Sequence, residues 1–139
     1  MQEAQNTKVI QDAYAAFGRG DIPALLGYMT DDIHWKPVTG AAHSVPFSGE
    51  RRGKAGVADF FKQVADSEDF EQFEPREFIA QGNTVVALGH YRAKAKATGR
   101  TVDSDFVMVF RLENGKVKAF QEFLDSAALN AAFGVGAAV

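Results

Sequence analysis

The feature that most constrains the fold is a pair of alternating apolar runs joined by Asn114-Gly115. Both residues of an Asn-Gly pair tolerate the positive φ of a type I′ turn, so this arrangement predicts a β-hairpin. The second run places Glu122 between Phe120 and Leu124. Because side chains alternate along a strand, all three point to the same side. The sequence therefore predicts a hairpin strand that carries one carboxyl on its apolar face.

Composition narrows the class of protein. The 139 residues are 46% hydrophobic and 24% charged, with a net charge of −3, which predicts one globular domain over 1–139. Gly134 is expected to end the last helix, so 135–139 is predicted to be a loose tail. No basic stripe is visible, and no apolar run approaches the ~20 residues that span a bilayer, so we expect neither nucleic acid nor a membrane as partner. The N-terminus lacks an apolar signal region, which predicts a cytoplasmic protein. The chain has no cysteine, which excludes thiol catalysis and thiolate metal sites.

Apolar side chains in the first half of the chain recur at helical spacing, with one short strand between the helices. The predicted elements are a helix at 7–18 capped by Asn6 or Thr7, a short helix capped by Asp21, a strand at 33–36, a long loop at 37–53 with a solvated Arg51-Arg52 pair, and a helix at about 54–66. A loop of that length within a compact domain is often functional.

From residue 71 onward the pattern is that of strands. The predicted elements are a strand at 73–80 with an edge or bulge near Pro75, a strand at 84–97, the two hairpin strands, and a final helix at Ser126–Phe133 capped by Asp125 or Ser126. Helices followed by an antiparallel meander predict an α+β fold with helices on one face of a curved sheet.

The strand at 84–97 alternates between small or apolar residues and polar ones. Its alternation places Tyr91 on the apolar face and His90 with Arg92 on the wetter face. The sequence does not fix the register near Pro75, and a shift of one residue would exchange the two faces. Asp103 and Asp105 are assigned to a solvated face by the same reasoning.

Three phrases, taken in order, resemble the SnoaL-like, ketosteroid-isomerase-related branch of the nuclear transport factor 2-like (NTF2-like) superfamily. They are AFGRGDIPALLGYMTDDIHW, FSGERRGKAGVADFF and TGRTVDSDFVMVFRLENGKVKAFQEFLDSAAL, and together they cover roughly residues 8–133. The resemblance implies a cone: N-terminal helices packed on a strongly curved, mostly antiparallel sheet, with a pocket for a small apolar or aromatic ligand. It also implies a homodimer through the sheet face. Relatives include isomerases, epoxide hydrolases, cyclases, dehydratases and binding modules without catalysis.

The roles of the steroid isomerases do not carry over to this chain. Their base, tyrosine and aspartic acid fall at Pro37 or Lys36, at Ala13, and at Phe106 or Val107; Tyr14 neighbours the tyrosine position on a different azimuth. The phrase at 120–125 resembles the last-strand phrase of limonene-type epoxide hydrolases, which places Glu122 at their catalytic carboxylate. Arg92 matches their arginine, but it has no partner Asp beside it.

The sequence hypothesis is a cofactor-independent isomerase, cyclase or hydrolase, and no metal site is expected because no ligand set is recognisable. Its candidate residues are Glu122 as acid/base with Tyr91 or His90 assisting, and Trp35, Phe106, Met108, Phe120 and Phe17 as the ligand-binding wall. Desolvation would raise the pKa of Glu122 in a pocket, whereas a strand-end Glu122 would pair with Lys or Arg. The alternative function is a ligand-binding or dimerisation module without catalysis.

Overall fold

The computed structural model describes residues 2–135. Its elements are α1 (Gln2–Gly18), α2 (Ile22–Gly27), β1 (Met29–Lys36), β2 (Arg51–Arg52), α3 (Gly53–Ser67), β3 (Glu68–Gln81), β4 (Thr84–Ala95), β5 (Thr101–Glu113), β6 (Lys116–Leu124) and α4 (Ser126–Ala132). The tail predicted for 135–139 lies, beyond Val135, outside the described residues.

The strands form one curved, unclosed sheet in the order β2-β1-β6-β5-β4-β3. Neighbouring strands are antiparallel except β1 and β6, which run parallel. The predicted α+β fold with a mostly antiparallel sheet is therefore confirmed. Asn114 and Gly115 have φ values of 51° and 77°, as a type I′ turn requires, and this turn joins β5 to β6.

Helix α1 begins at Gln2 rather than at residue 7. The predicted cap at Asn6 or Thr7 is wrong, because both residues lie inside the helix. Asn6 is buried, and its side-chain amide donates a hydrogen bond to the Gly82 carbonyl (3.4 Å) in the turn between β3 and β4. The Glu3 carboxylate accepts from the Gly82 N–H at 3.1 Å. These contacts dock the first turns of the helix on the sheet, which helical periodicity alone does not report.

The predicted solvated pair Arg51-Arg52 instead forms β2, which pairs antiparallel with β1. The Arg51 side chain is only 14% exposed. Its guanidinium donates to the Asp59 carboxylate at 2.9 Å and to the Gln63 side-chain oxygen at 2.6 Å. Arg51 therefore ties the end of the long loop to α3, and the prediction that it is solvated is wrong.

Strand β3 begins at Glu68, earlier than predicted, and lies at the edge of the sheet. Its register with β4 shifts twice, between Phe70 and Gln72 and between Pro75 and Glu77. The second shift confirms the irregularity predicted at Pro75. Such bulges bend a strand and increase its twist, so β3 follows the curvature of the sheet.

Gly89 lies opposite Phe106 on the inner face of the sheet. A Cβ at this position would be 2.3 Å from the Glu74 carbonyl oxygen and 2.4 Å from the Phe106 ring. The Phe106 ring occupies that space and stacks on Phe73 with ring centroids 5.1 Å apart. Glycine is thus required where an aromatic ring crosses the bent sheet.

Candidate functional site

The helices and the inner face of the sheet enclose a cavity. Its empty volume is about 860 Å³, which includes space open to solvent. Most lining side chains are aromatic or aliphatic. Polar groups on the wall come from Tyr14, Tyr28, Trp35, Glu68, Tyr91 and Glu122. Among the described lining residues, no Lys, Arg or His accompanies the two glutamates.

Glu122 lies on β6, with its side chain buried in the cavity wall. Its Oε1 accepts a hydrogen bond from the Val38 N–H at 3.2 Å, and its carbonyl oxygen accepts from the Thr39 N–H at 2.9 Å. Within residues 2–135 no Lys or Arg pairs with it, so it is not the ion-paired strand-end acid of the alternative interpretation. Burial raises the pKa of Glu122 to about 7, and the Val38 N–H opposes that rise.

The backbone that holds Glu122 is itself unusual. Val38 has a φ of 40°, in the left-handed region that a β-branched residue rarely enters. Non-glycine residues in this region cost about 1–3 kcal/mol each and persist only where the surrounding structure imposes them. Here the conformation directs the Val38 N–H at the Glu122 carboxyl. The loop after β1 therefore places a backbone donor against this acid.

Sequence reasoning missed a second buried acid, Glu68, at the start of β3. It is 6% exposed and lines the same cavity. Its Oε2 has no hydrogen-bond partner in the part of the chain that the structure describes. Burial raises the pKa of Glu68 to about 8, and the negative charge of Glu122 adds to the rise. The sequence signal that could have found Glu68 is its alternation with Phe70. It places both side chains on one face of the sheet, because β3 begins at Glu68 and not at residue 73.

The bend of the sheet brings the two acids to one cavity. Glu68 pairs with Ala95, whereas Glu122 pairs with Met108, which in turn pairs with Ala87. Ala95 and Ala87 are eight residues apart on β4, a distance of ~26 Å along an extended strand. On a flat sheet the acids would be remote from each other. Both line one cavity because the sheet curves around it.

Two tyrosines lie with the acids. Tyr91 is on the inner face of β4, and its hydroxyl makes no hydrogen bond within residues 2–135, which leaves it available to a ligand. Burial raises its pKa above the usual range, and the charges of Glu68 and Glu122 contribute. Tyr14 also lines the cavity, and its hydroxyl donates to the Met108 sulfur at 2.9 Å. Tyr14 therefore reaches the cavity although it only neighbours the position of the steroid-isomerase tyrosine, Ala13, which also lines the cavity.

His90 is not part of the cavity. It lies on the outer face, where its Nδ1 is 2.8 Å from the Asp105 carboxylate and its Nε2 bonds to Asp103. The hydrogen bonds to these two acids raise the pKa of His90. Arg92 is on the same face and pairs with Glu71 at 2.8 Å. The register of β4 with its neighbours thus directs Tyr91 inward and these two side chains outward.

The predicted aromatic wall is present in part. Trp35 and Phe120 stack with ring centroids 3.8 Å apart, and both line the cavity together with Phe17 and Met108. Phe106 does not line it, because its ring is packed against Phe73 over Gly89. The Trp35 Nε1 is buried and has no hydrogen-bond partner among the described residues. An unpaired N–H on this wall is a natural donor to a bound molecule.

The described residues also bear on metal ligation and on membrane-spanning helices. They contain no group of three His, Cys, Asp or Glu side chains placed to hold a metal ion. None of the helices formed by residues 2–135 has the length and apolar character needed to cross a membrane. The chemistry that the arrangement offers is proton exchange near neutral pH by two carboxyls in an apolar cavity.

Comparisons with known proteins agree with this architecture. A family model described as a SnoaL-like domain matches residues 10–120. The chain is similar to an NTF2-like protein from Burkholderia xenovorans, with 32% identity, a TM-score of 0.85 and coverage of 96% of this chain and 98% of that one. An NTF2-like protein from Burkholderia pseudomallei is 29% identical, with a TM-score of 0.82 and coverage of 93% and 97%. TerC, co-crystallised with polyporic acid, is 28% identical, with a TM-score of 0.80 and coverage of 94% and 98%. No curated protein matches the sequence.

Proposed function

Because the chain belongs to the SnoaL-like family, we propose that it binds a small, mainly apolar organic molecule in this cavity and transfers a proton on it, with Glu122 as the acid/base. The observation that carries the proposal is a buried carboxyl on an apolar wall with one backbone N–H and no cation beside it. A base is most effective when its pKa is near the working pH. With a pKa of about 7, Glu122 is present in both protonation states at neutral pH.

The Val38 N–H gives Glu122 a fixed orientation and favours its carboxylate form. The aromatic wall excludes water, so the carboxylate that remains is poorly solvated and correspondingly basic. Proton removal by such a group needs no cofactor when the bound molecule has a C–H bond next to an electron-withdrawing group. Isomerisation and cyclisation of small organic compounds both begin with that step.

Two observations support a flat organic ligand. The stacked rings of Trp35 and Phe120 form one wall, and aromatic walls suit flat molecules. TerC, a similar protein, is co-crystallised with polyporic acid. For this chain we propose only the class of ligand: a small organic molecule that combines apolar surface with polar groups.

The outer face of the sheet suits a second copy of the chain. Phe123 and Ile79 are 39% and 50% exposed there, which is unusual for large apolar side chains on a sheet. We therefore include a homodimer through this face in the proposal. Sedimentation equilibrium of the wild-type protein and of Phe123→Glu checks it, with dimer expected for the first and monomer for the second.

The catalytic proposal is tested by proton exchange. We expect the wild-type protein to accelerate the replacement of α-hydrogens of β-tetralone by deuterium in deuterium oxide, followed by proton NMR. Glu122→Gln keeps the size of the side chain and removes the base, so exchange should fall to the background rate. His90→Gln, on the outer face, is the matched control and should exchange at the wild-type rate. Equal rates for wild type and Glu122→Gln contradict the proposal.

A second function, ligand binding without turnover, is favoured by one observation. The positions that correspond to the base, tyrosine and acid of the steroid isomerases carry no such groups here. Native mass spectrometry of the purified protein distinguishes the two functions. A co-purified small molecule that stays unchanged during incubation supports binding alone, whereas its conversion, abolished in Glu122→Gln, supports catalysis.

A further inference from the structure

Glu68 has no role in the function proposed above, yet it is the second carboxyl of the same cavity. We propose that Glu68 is the acid of this site. Its carboxyl O–H donates a hydrogen bond to a carbonyl oxygen of the ligand, while Glu122 takes a proton from the carbon next to that carbonyl group. The substrate class is then a small carbonyl compound with an acidic C–H beside the carbonyl group. This inference rests on the proposed function of Glu122.

The first support is the position of the two carboxyls. They come from β3 and β6, which are separated in the sheet by β4 and β5, and the curvature of the sheet directs both into one cavity. A ligand in that cavity is bounded by an acid from each of these strands. Transfer of a proton from carbon, with binding of the neighbouring oxygen, requires two groups placed in this way.

The second support is the unpartnered atom. Glu68 Oε2 is buried in the wall and has no hydrogen-bond partner within residues 2–135. Buried polar atoms in folded proteins are nearly always paired, so an orphan on a cavity wall points to a partner that arrives with the ligand. An oxygen of a bound molecule supplies that partner when Glu68 is protonated.

The third support is the difference between the two environments. Glu122 accepts a hydrogen bond from the Val38 N–H, and such a donor favours the charged carboxylate. Glu68 has no comparable donor among the described residues, and it faces Glu122 from β6 and the Tyr91 phenol from β4. Of the two, Glu68 is therefore the group that retains its proton. The order of the pKa values, about 8 for Glu68 and about 7 for Glu122, agrees.

The proton and electron balance is closed. The Glu122 carboxylate accepts the proton of the C–H bond, and the two electrons of that bond form the C=C bond of an enolate. The carbonyl π electrons move to oxygen, where the Glu68 O–H donates a hydrogen bond to the developing negative charge. Glu122 then returns its proton to the same carbon or to a conjugated one, and the carbonyl is restored. No oxidant, reductant or further reactant is needed.

The binding half of the inference is tested with para-nitrophenolate, whose oxygen resembles that of an enolate and whose colour reports its ionisation. The protein background is Glu122→Gln, which resembles the state after proton uptake. We expect this variant to bind para-nitrophenolate, and the added change Glu68→Leu to weaken binding at least tenfold, because a hydrogen bond to an anion is lost. Glu68→Gln, which keeps an N–H donor, should restore part of the affinity.

Tyr91 is the competing donor, so Glu122→Gln with Tyr91→Phe is measured beside these variants. If Tyr91→Phe weakens binding tenfold and Glu68→Leu does not, the oxygen is bound by Tyr91 and the inference is overturned. Thermal unfolding checks that each variant folds. Glu68→Leu removes an unpaired buried carboxyl, and we expect it to unfold at the same temperature as the wild type or higher.

The catalytic half uses the β-tetralone exchange reaction. Glu68→Leu should lower the rate at least tenfold and remove the alkaline limb of its pH profile, since that limb reports loss of the Glu68 proton. Exchange that depends on Glu122 but is unchanged in Glu68→Leu overturns this inference alone. Nitrophenolate binding that depends on Glu68, without any exchange by the wild type, overturns the proposed proton transfer and leaves only the binding of a ligand oxygen by Glu68. Absence of both binding and exchange overturns both.

Discussion

On the outer face of the sheet Asp103 and Asp105 both bond to His90, whereas on the inner face Glu68 and Glu122 have no cationic partner among the described residues. The outer pair raises the pKa of a histidine, while burial raises the pKa values of the inner acids themselves. Successive residues of a strand point to opposite faces of the sheet, so a shift of one residue would move an acid from one environment to the other. An acid on these strands is buried in the cavity wall only when it alternates with the apolar residues.

The largest expected effect concerns the inner face. Glu122→Gln should lower the rate of proton exchange by roughly 10²–10⁴-fold, the usual contribution of a positioned general base. The comparison predicts no such loss when an outer acid is changed in the same way, as in Asp103→Asn. Rates from proton NMR for the two variants decide the point. A comparable loss in Asp103→Asn would show that the faces are not functionally distinct.

The second prediction is that the free energy of unfolding falls as pH rises from about 5 to 8. The unfolded carboxyls release their protons near 4.5, whereas folded Glu122 and Glu68 hold them to about 7 and about 8. The folded state thus binds more protons in this range, and its stability decreases with pH. The upper bound is about 7 kcal/mol, since each pH unit between 5 and the folded pKa of an acid corresponds to about 1.4 kcal/mol. Urea denaturation at several pH values measures it.

The control for this prediction is the outer histidine. The raised pKa of His90 stabilises the fold below its unfolded value of about 6.5, and that contribution is lost as pH rises through the folded value. Like the inner acids, His90 therefore makes the free energy of unfolding fall as pH rises. The pH dependence should persist in His90→Gln and should largely disappear when both Glu68 and Glu122 are changed to Gln. The reverse pattern would assign the pH dependence to the outer face.

A smaller effect is expected at the bend of the sheet. Gly89→Ala should destabilise the fold by about 1–3 kcal/mol, because its Cβ would overlap the Phe106 ring and the Glu74 carbonyl oxygen. Gly27→Ala is the matched control, since a Cβ there has no atom within 4 Å, and it should be neutral or stabilising. Thermal unfolding of both variants gives the comparison. Equal stability of Gly89→Ala and wild type would show that the sheet adjusts freely at this point.

The smallest effect belongs to the outer face. Asp105→Asn should leave the free energy of unfolding close to that of the wild type, because an exposed ion pair contributes little. It should also move the pKa of His90 back towards its ordinary value, which NMR titration of the imidazole measures. Ligand affinity should stay the same. Weaker binding of para-nitrophenolate by Asp105→Asn would show that His90 and its two acids on the outer face influence the cavity.

Local patterns in the sequence were sufficient for much of the fold and for one of the two acids. The Asn114-Gly115 turn fixed the last hairpin, and alternation placed Glu122 on its apolar side. The choice between His90 and Tyr91 depended on the register of β4 with its neighbours, which the bulges of β3 obscure. A bulge adds one residue to a strand and so exchanges the faces to which the following side chains point. Because it has no reliable local signature, only the structure could decide between His90 and Tyr91.

Glu68 escaped prediction for a related reason. It follows α3 directly within the run Asp66-Ser67-Glu68-Asp69, and a cluster of acids between two elements has the composition of a solvated turn. Its burial depends on the pairing of the start of β3 with the end of β4 and on the curvature that folds this corner over the cavity. These are long-range contacts, and the alternation of Glu68 with Phe70, which is the local signal, does not report them.

The bend at Gly89 has a consequence for how such a site can change over time. Gly89 and Phe106 do not line the cavity, yet they pack together beside the bulge of β3 at Pro75, and we expect this packing to influence the distance between the two acids. A substitution there can alter the length of molecule that spans Glu68 and Glu122 without replacing any group that touches it. Selectivity for ligands of different length can therefore change through substitutions at residues that do not touch the ligand, while the two acids stay the same.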